Sequence, residues 1–170
     1  MVASHFDSVW RALKRLGVPA ADADDGAQRV FVVAARRLGE IESGRERQYL
    51  LGIALRIASE VRRSRRRRPE VPLDTVSDGP DWKAAAPDDL VDEKRLRQAL
   101  ARILDDLPVP LREAFVLFEL EELAAPQVAE LLGIPVGTVA SRVRRAREAI
   151  RQKLRQRAGS EPTWLAAGEP

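Results

Sequence analysis

The stretch "PQVAELLGIPVGTVASRVRRAR", residues 126–147, reads as two short helices around a glycine turn, with arginine crowded onto the second. In the first, Val128, Ala129, Leu131 and Leu132 form an apolar face, and Gly133 supplies the residue that a tight helix-to-helix turn needs. The second helix is predicted to begin near Pro135. Helical stepping gathers Val136, Val139, Val143, Ala146, Ile150 and Leu154 into one inward arc. The opposite arc holds Gly137, Ser141, Arg144, Arg145 and Gln152, with Thr138, Arg142 and Arg147 on the flanks. A recognition helix presents its N-terminal residues to base edges in the major groove. There an arginine fork matches the two acceptors of guanine. Small side chains at Gly137, Thr138 and Ser141 let the backbone come close to phosphates. The competing explanation is a surface hairpin whose arginines are only solvated. It leaves unexplained why a glycine turn, small leading residues and a basic outer face coincide.

Working outward, the chain has 170 residues, 45% of them hydrophobic but only 5% aromatic, a balance that favours helices. With no cysteine and a single histidine, His5, expected exposed in a first helix, the sequence offers no zinc site, thiol nucleophile, disulfide or Ser–His pair. No cofactor, metal or catalytic centre is expected. The carboxylate pairs Asp24–Asp25 and Asp105–Asp106 do not change this, because adjacent helical residues point about 100° apart. No apolar run is long enough to span a membrane and no secretory leader is visible, so a cytoplasmic protein without membrane insertion is expected.

The net charge of +3 conceals strong segregation. Six arginines fall within "RRSRRRR", residues 62–68, and eight basic residues within 142–157. Between these blocks, residues 69–89 carry six acidic residues and one lysine. Two separated basic blocks point to a polyanion contacted at two places.

Three amphipathic helices are predicted ahead of the acidic segment. The first starts at Ser4 as N-cap and buries Phe6, Val9, Trp10, Leu13 and Leu16 before Gly17. The second, from about Ala21 to Leu38, turns Ala27, Val30, Phe31 and Ala34 inward. The third, from about Arg45 to Arg68, carries a stripe of Leu50, Ile53, Ala54, Ile57 and Val61, with Arg56, Ser59, Arg63 and Arg66 on its far side. Residues 69–88, with four prolines and Trp82, read as a flexible linker. A helical pattern resumes near Asp89 with Leu96, Leu100, Ile103, Leu104 and Leu107, and another helix starts at Pro110. The expected fold is all-α: a domain over 1–68, a linker over 69–88, a second domain over 89–157 ending in the helix–turn–helix, and a disordered tail over 158–170.

With both domains in view, the chain resembles the extracytoplasmic-function (ECF) sigma factors, the initiation subunits of bacterial RNA polymerase. The likeness spans about residues 4–157. It is carried by "GTVASRVRRAR" with the segment before it, and by "DDGAQRVFVVAARRL" and "YLLGIALRIASEVRRSRRRR". It implies that the helix–turn–helix reads the −35 promoter element through Gly137, Thr138, Ser141, Arg142, Arg144 and Arg145. It implies that Asp24, Asp25, Gln28 and Phe31 lie on or beside the surface gripping the polymerase clamp helices. Along the −10 strand it places Arg47, Arg56, Ser59, Arg62, Arg63 and Arg66, a set that includes the far side of the third helix found by spacing. The implied partners are RNA polymerase core, at its clamp helices and flap, promoter DNA and an anti-sigma factor.

The chain departs from the family pattern at several positions. Arg29 stands where glutamate is common. Gly26 is expected to weaken its helix by about 1 kcal/mol. Ala124 replaces a capping serine, so a frayed helix start is expected. The loop "ESGRERQY", residues 42–49, is polar and has Tyr49 where an aromatic residue, often tryptophan, is usual, which leaves the −10 base preference open. Two other functions remain compatible with the residues alone: a free-standing regulator binding an operator as a dimer, and a protein that sequesters another factor through its acidic helix.

Overall fold

The computed structural model describes residues 2–37, 39, 41–67 and 98–158. The linker with Trp82, the resumption of helix near Asp89, Leu38, Leu96 and the tail from 159 onward lie outside the described residues. The chain divides into two compact units, Met1–Gln98 and Ala99–Pro170, and among the described residues every regular element is helical.

The first unit contains α1 (Val2–Arg15), α2 (Ala20–Ala35) and α3 (Glu46–Arg67). Val9, Leu13 and Leu16 of the α1 region, Val30 and Phe31 of α2, and Leu50, Ile53 and Ile57 of α3 are buried together, and Phe31 stacks on Phe6 with centroids 5.9 Å apart. α1 already runs from Val2, so Ser4 stands inside its first turn and is not the cap. His5 is half-buried, not exposed. The α1 end is closed by Gly17 at φ 92°, with Gly17 N–H bonded to the Lys14 carbonyl and Val18 N–H to that of Leu13. Gly26 has a role that a propensity argument misses. A Cβ there would sit 3.2 Å from Leu13 Cδ1 and 3.7 Å from Ile57 Cγ2, so its bareness admits α1 and α3 to the same point on α2.

The second unit opens with α4 (98–105), followed by α5 (Val109–Phe115), which runs on into a π-turn at Val116–Leu120. The Glu121 N–H reaches back five residues to the Val116 carbonyl at 2.9 Å and closes that turn. Arg112, almost wholly buried, ties α5 to the end of α4, with Nη2 donating to the Asp105 carbonyl and Nη1 3.2 Å from Asp105 Oδ1. Burial pushes the Asp105 carboxyl above its ordinary pKa; Arg112 pulls the other way and Asp106 adds to the rise. Next come α6 (Ala125–Leu132) and α7 (Val136–Ala158); α7 packs on α5, and α6 on α7 and the π-turn, and Ile103, Leu104, Phe115, Val116 and Leu117 are all buried.

Candidate nucleic-acid interface

The helix–turn–helix is built as the sequence spacing predicts, with α6, a three-residue turn and α7. Gly133 adopts φ 64°, while its N–H bonds the Glu130 carbonyl and the Ile134 N–H that of Ala129. This pair of bonds satisfies carbonyls that α6 would otherwise leave open, and the left-handed residue suits glycine. The start of α6 corrects the expectation of fraying. Ala124 has no side-chain acceptor, but Gln127 Oε1 accepts from the Ala124 N–H at 2.9 Å. Pro126, in the first turn, has no N–H to leave unsatisfied.

Along α7, Val139, Val143, Ala146 and Ile150 are fully or almost fully buried. Val136, expected in the same arc, is instead 46% exposed, because the arc reaches the edge of the core at the helix start. Leu154, further along, is half-buried. The candidate DNA-reading residues separate by environment. Gly137, Arg144 and Arg145 are exposed, and Thr138, Ser141 and Arg142 are half-buried. A Cβ on Gly137 would meet nothing within 4 Å. Ser141 Oγ donates to the Thr138 carbonyl at 3.0 Å. Arg144 pairs with Glu148 one turn on at 2.8 Å, whereas no ion pair or hydrogen bond among the described residues holds the Arg142 or Arg145 guanidinium. Arg147, on the flank, turns inward to Glu119.

On α3 the far side predicted by spacing is a real face: Arg56, Arg63 and Arg66 are exposed and Ser59 half-buried. Two arginines assigned to it by resemblance behave differently. Arg62 is half-buried and donates from Nη1 to the Leu16 carbonyl at 2.7 Å, so its guanidinium is spent on α1. Arg47 is half-buried and engaged within the protein. Glu60, amid the basic face, is drawn aside by Arg29 of α2 at 2.8 Å. Arg65 reaches toward Asp22 of α2 at 4.0 Å. The arginine run therefore has two functions, lacing α3 to its neighbours and charging the outer surface.

On α2, Asp24, Asp25 and Gln28 are exposed, but Phe31 is 8% exposed and belongs to the core under that face. Its place on the surface is taken by Val32 and Val33, which are 53% and 41% exposed. The signal was legible. In "VFVV", residues 30–33, a helix can bury only part of four consecutive apolar side chains, so some must face outward. Among the described residues no cluster of His, Cys, Asp and Glu could hold a metal ion. No helix among them is long and apolar enough to cross a membrane.

Comparison with known proteins adds to this geometry. The family model for sigma-70, region 4, matches residues 97–150. The chain is 34% identical over 145 residues to the ECF RNA polymerase sigma-E factor of Escherichia coli (strain K12), covering 81% of this chain and 76% of the relative. Among solved structures, CnrH in complex with the cytosolic domain of CnrY superimposes with a TM-score of 0.67 at 25% identity, covering 92% of this chain and 86% of that one. The sigma factor RpoE from Bartonella quintana, in complex with the anti-sigma factor NepR, gives a TM-score of 0.71 at 22% identity over 91% of this chain and 94% of that one, a likeness of fold.

Proposed function

The chain belongs to the ECF sigma factors of RNA polymerase, and on that premise we propose how its two units divide the work of directing the polymerase to promoters. The second unit reads the −35 element through the outer face of α7, with Arg145 and Arg142 as base or phosphate contacts and Gly137, Thr138 and Ser141 as the close-approach surface. The first unit tracks the −10 strand with Arg56, Ser59, Arg63 and Arg66 of α3. It engages core enzyme through the outer face of α2, where Asp24, Asp25 and Gln28 adjoin Val32 and Val33. The reading rests chiefly on one observation: each unit turns a basic helical face to solvent, and Arg56, Arg63 and Arg66 on the one and Arg142 and Arg145 on the other are unclaimed by acidic partners among the described residues. The cytoplasm, where polymerase works, is the corresponding compartment. An anti-sigma partner, of the kind with which the Bartonella RpoE was solved, is part of the same proposal.

The experiment is promoter binding and run-off transcription with and without core enzyme. An initiation factor depends on core, because melting the −10 duplex costs more than one arginine face of a small unit recovers. The expected outcome is weak, largely non-specific duplex binding by the free chain and specific transcription only with core. Asp25→Arg should weaken core association without disturbing the fold, since Asp25 is exposed. Tight palindrome-specific binding by the free chain, indifferent to core, would instead identify an operator-binding dimer.

A further inference from the structure

We propose that the ion pair between Glu119 and Arg147 is a positioning bracket for promoter reading. It fixes the rotation of α7 from which Arg145 and Arg142 reach the DNA, and Arg147 itself makes no DNA contact. The inference rests on the reading of α7 as the −35 recognition helix.

Sequence spacing sets Arg147 on the flank of the outer arc, beside the residues that face DNA. The structure turns it the other way. Its Nε donates to Glu119 Oε1 at 2.8 Å, and its Nη2 lies 2.6 Å from the same oxygen. These side chains are 30% and 26% exposed, against 67% and 54% for the neighbouring Arg144–Glu148 pair. The bracket is therefore the better shielded of the two, less weakened by salt and more fixed in geometry.

Beneath α7 the adhesion comes from Val139, Val143, Ala146 and Ile150. Apolar burial is non-directional, and Ala146, between Arg145 and Arg147, presents only a methyl group to key the helix against rotation. A charge-assisted pair is directional and resists that roll. Glu119 is placed for this by the π-turn, Val116–Leu120, which departs from α-helical winding just where the carboxylate must swing toward α7. Lys153, paired with Asp106 at 2.7 Å, pins α7 again further along, so rotation is limited at two points. Of the two, the Arg147 pin is nearer to Arg145 and Arg142.

The test uses full-length chain in reconstituted holoenzyme, on a transcribed promoter and derivatives changed at each −35 base. Glu119→Gln and Arg147→Gln should each reduce discrimination between parental and altered −35 elements by about tenfold, the effect of losing one charged hydrogen-bonded pair. The double variant should be no worse than the worse single one, and the salt slope of promoter binding should stay unchanged. If Arg147→Gln lowers that slope by roughly one phosphate contact while Glu119→Gln is silent, Arg147 touches DNA and the bracket is refuted. Glu119→Asp keeps the charge and guards against unfolding. Lost discrimination at a temperature where circular dichroism shows the variant fully folded supports the bracket, and retained discrimination in both Glu119 variants overturns it. Arg145→Ala, run in parallel, separates the two ideas. If it, Arg144→Ala and Arg142→Ala all leave the −35 profile intact, the recognition-helix reading falls and takes the bracket with it. If it alters the profile while the Glu119 variants do not, only the bracket falls.

Discussion

Arg62 Nη1 donates to the main-chain oxygen of Leu16 at 2.7 Å, joining residues 46 apart in sequence. Leu16 directly follows the last residue of α1, so the guanidinium meets a carbonyl that the helix leaves without an internal partner, at the negative end of its dipole. The next residue, Arg63, is exposed. Two adjacent arginines thus have opposite duties, one holding the three-helix unit together and one charging its surface.

Exchange of the two residues for glutamine should separate those duties. Arg62→Gln should lower the stability of the first unit by about 1–2 kcal/mol, as for a lost charged hydrogen bond. Arg63→Gln should stay within roughly 0.5 kcal/mol, as for an exposed substitution. Thermal melting measures this. The order should reverse in open-complex formation, where Arg63→Gln should flatten the salt dependence. Equal melting temperatures for the two variants would place Arg62 on the solvent side as well.

Gly26 offers a packing test. A Cβ there would lie 3.2 Å from Leu13 Cδ1, so Leu13, which is completely buried, must shift to admit valine. Gly26→Val should destabilise the unit by about 1–3 kcal/mol, the usual cost of overpacking. A raised melting temperature would mean that the crossing of α1, α2 and α3 is looser than its geometry indicates.

These residues also mark what a sequence can and cannot disclose. The inward arc of α7 was legible because helical periodicity is a local property: Val139, Val143, Ala146 and Ile150 are all buried. The same holds for Arg56, Arg63 and Arg66, which spacing alone put on the outer face of α3. Arg62 came to the DNA-facing set by resemblance, and its bond to the Leu16 carbonyl just past the end of α1 is a tertiary contact, on which periodicity is silent. Gly26 read as a weak point because propensity describes one helix, whereas its value comes from two others. The π-turn at Val116–Leu120 left no legible trace, since a wider turn shows only as a shift of phase and the unbroken apolar run "AFVLF", residues 114–118, hides it. Arg147 was ambiguous for a similar reason: a flank position faces solvent or partner according to what lies opposite, and Glu119 is 28 residues away.

Glu122, itself exposed, sits at φ 52°, a left-handed conformation, in the connection between the π-turn and α6. For a residue with a side chain that conformation costs about 1–2 kcal/mol. Glycine removes the cost but loses about 0.5–1 kcal/mol through its freer unfolded chain. Glu122→Gly should therefore stabilise the second unit by roughly 0.5–1 kcal/mol, while Glu122→Ala should be near neutral because it keeps the Cβ. Denaturant unfolding of the full chain checks both. A destabilising glycine would show that the Glu122 side chain holds the loop through a contact that outweighs its backbone cost.

The two outward arginines of α7 should prove unequal in reading DNA. Arg144 is held by Glu148 at 2.8 Å, but both side chains are largely exposed. Such an i,i+4 pair is worth only about 0.2–0.5 kcal/mol, so phosphate can compete for the guanidinium. Arg145 has no competing carboxylate among the described residues, and its fork is available for two acceptors on a guanine edge. Arg145→Ala should flatten the preference among −35 sequences by roughly 1–3 kcal/mol at the position it contacts. Arg144→Ala should weaken binding uniformly, leaving the preference profile intact. Glu148→Gln should act in the opposite sense, freeing Arg144 and removing a negative charge. Affinity for unrelated duplex should rise, with the salt slope steeper by up to about 0.9, the increment for neutralising one more phosphate. Holoenzyme binding to promoters varied at each −35 base, at several salt concentrations, measures all three. If Arg144→Ala reshapes the base preference and Arg145→Ala only shifts overall affinity, the two roles are reversed and α7 enters the groove rotated so that Arg144, not Arg145, meets the base edges.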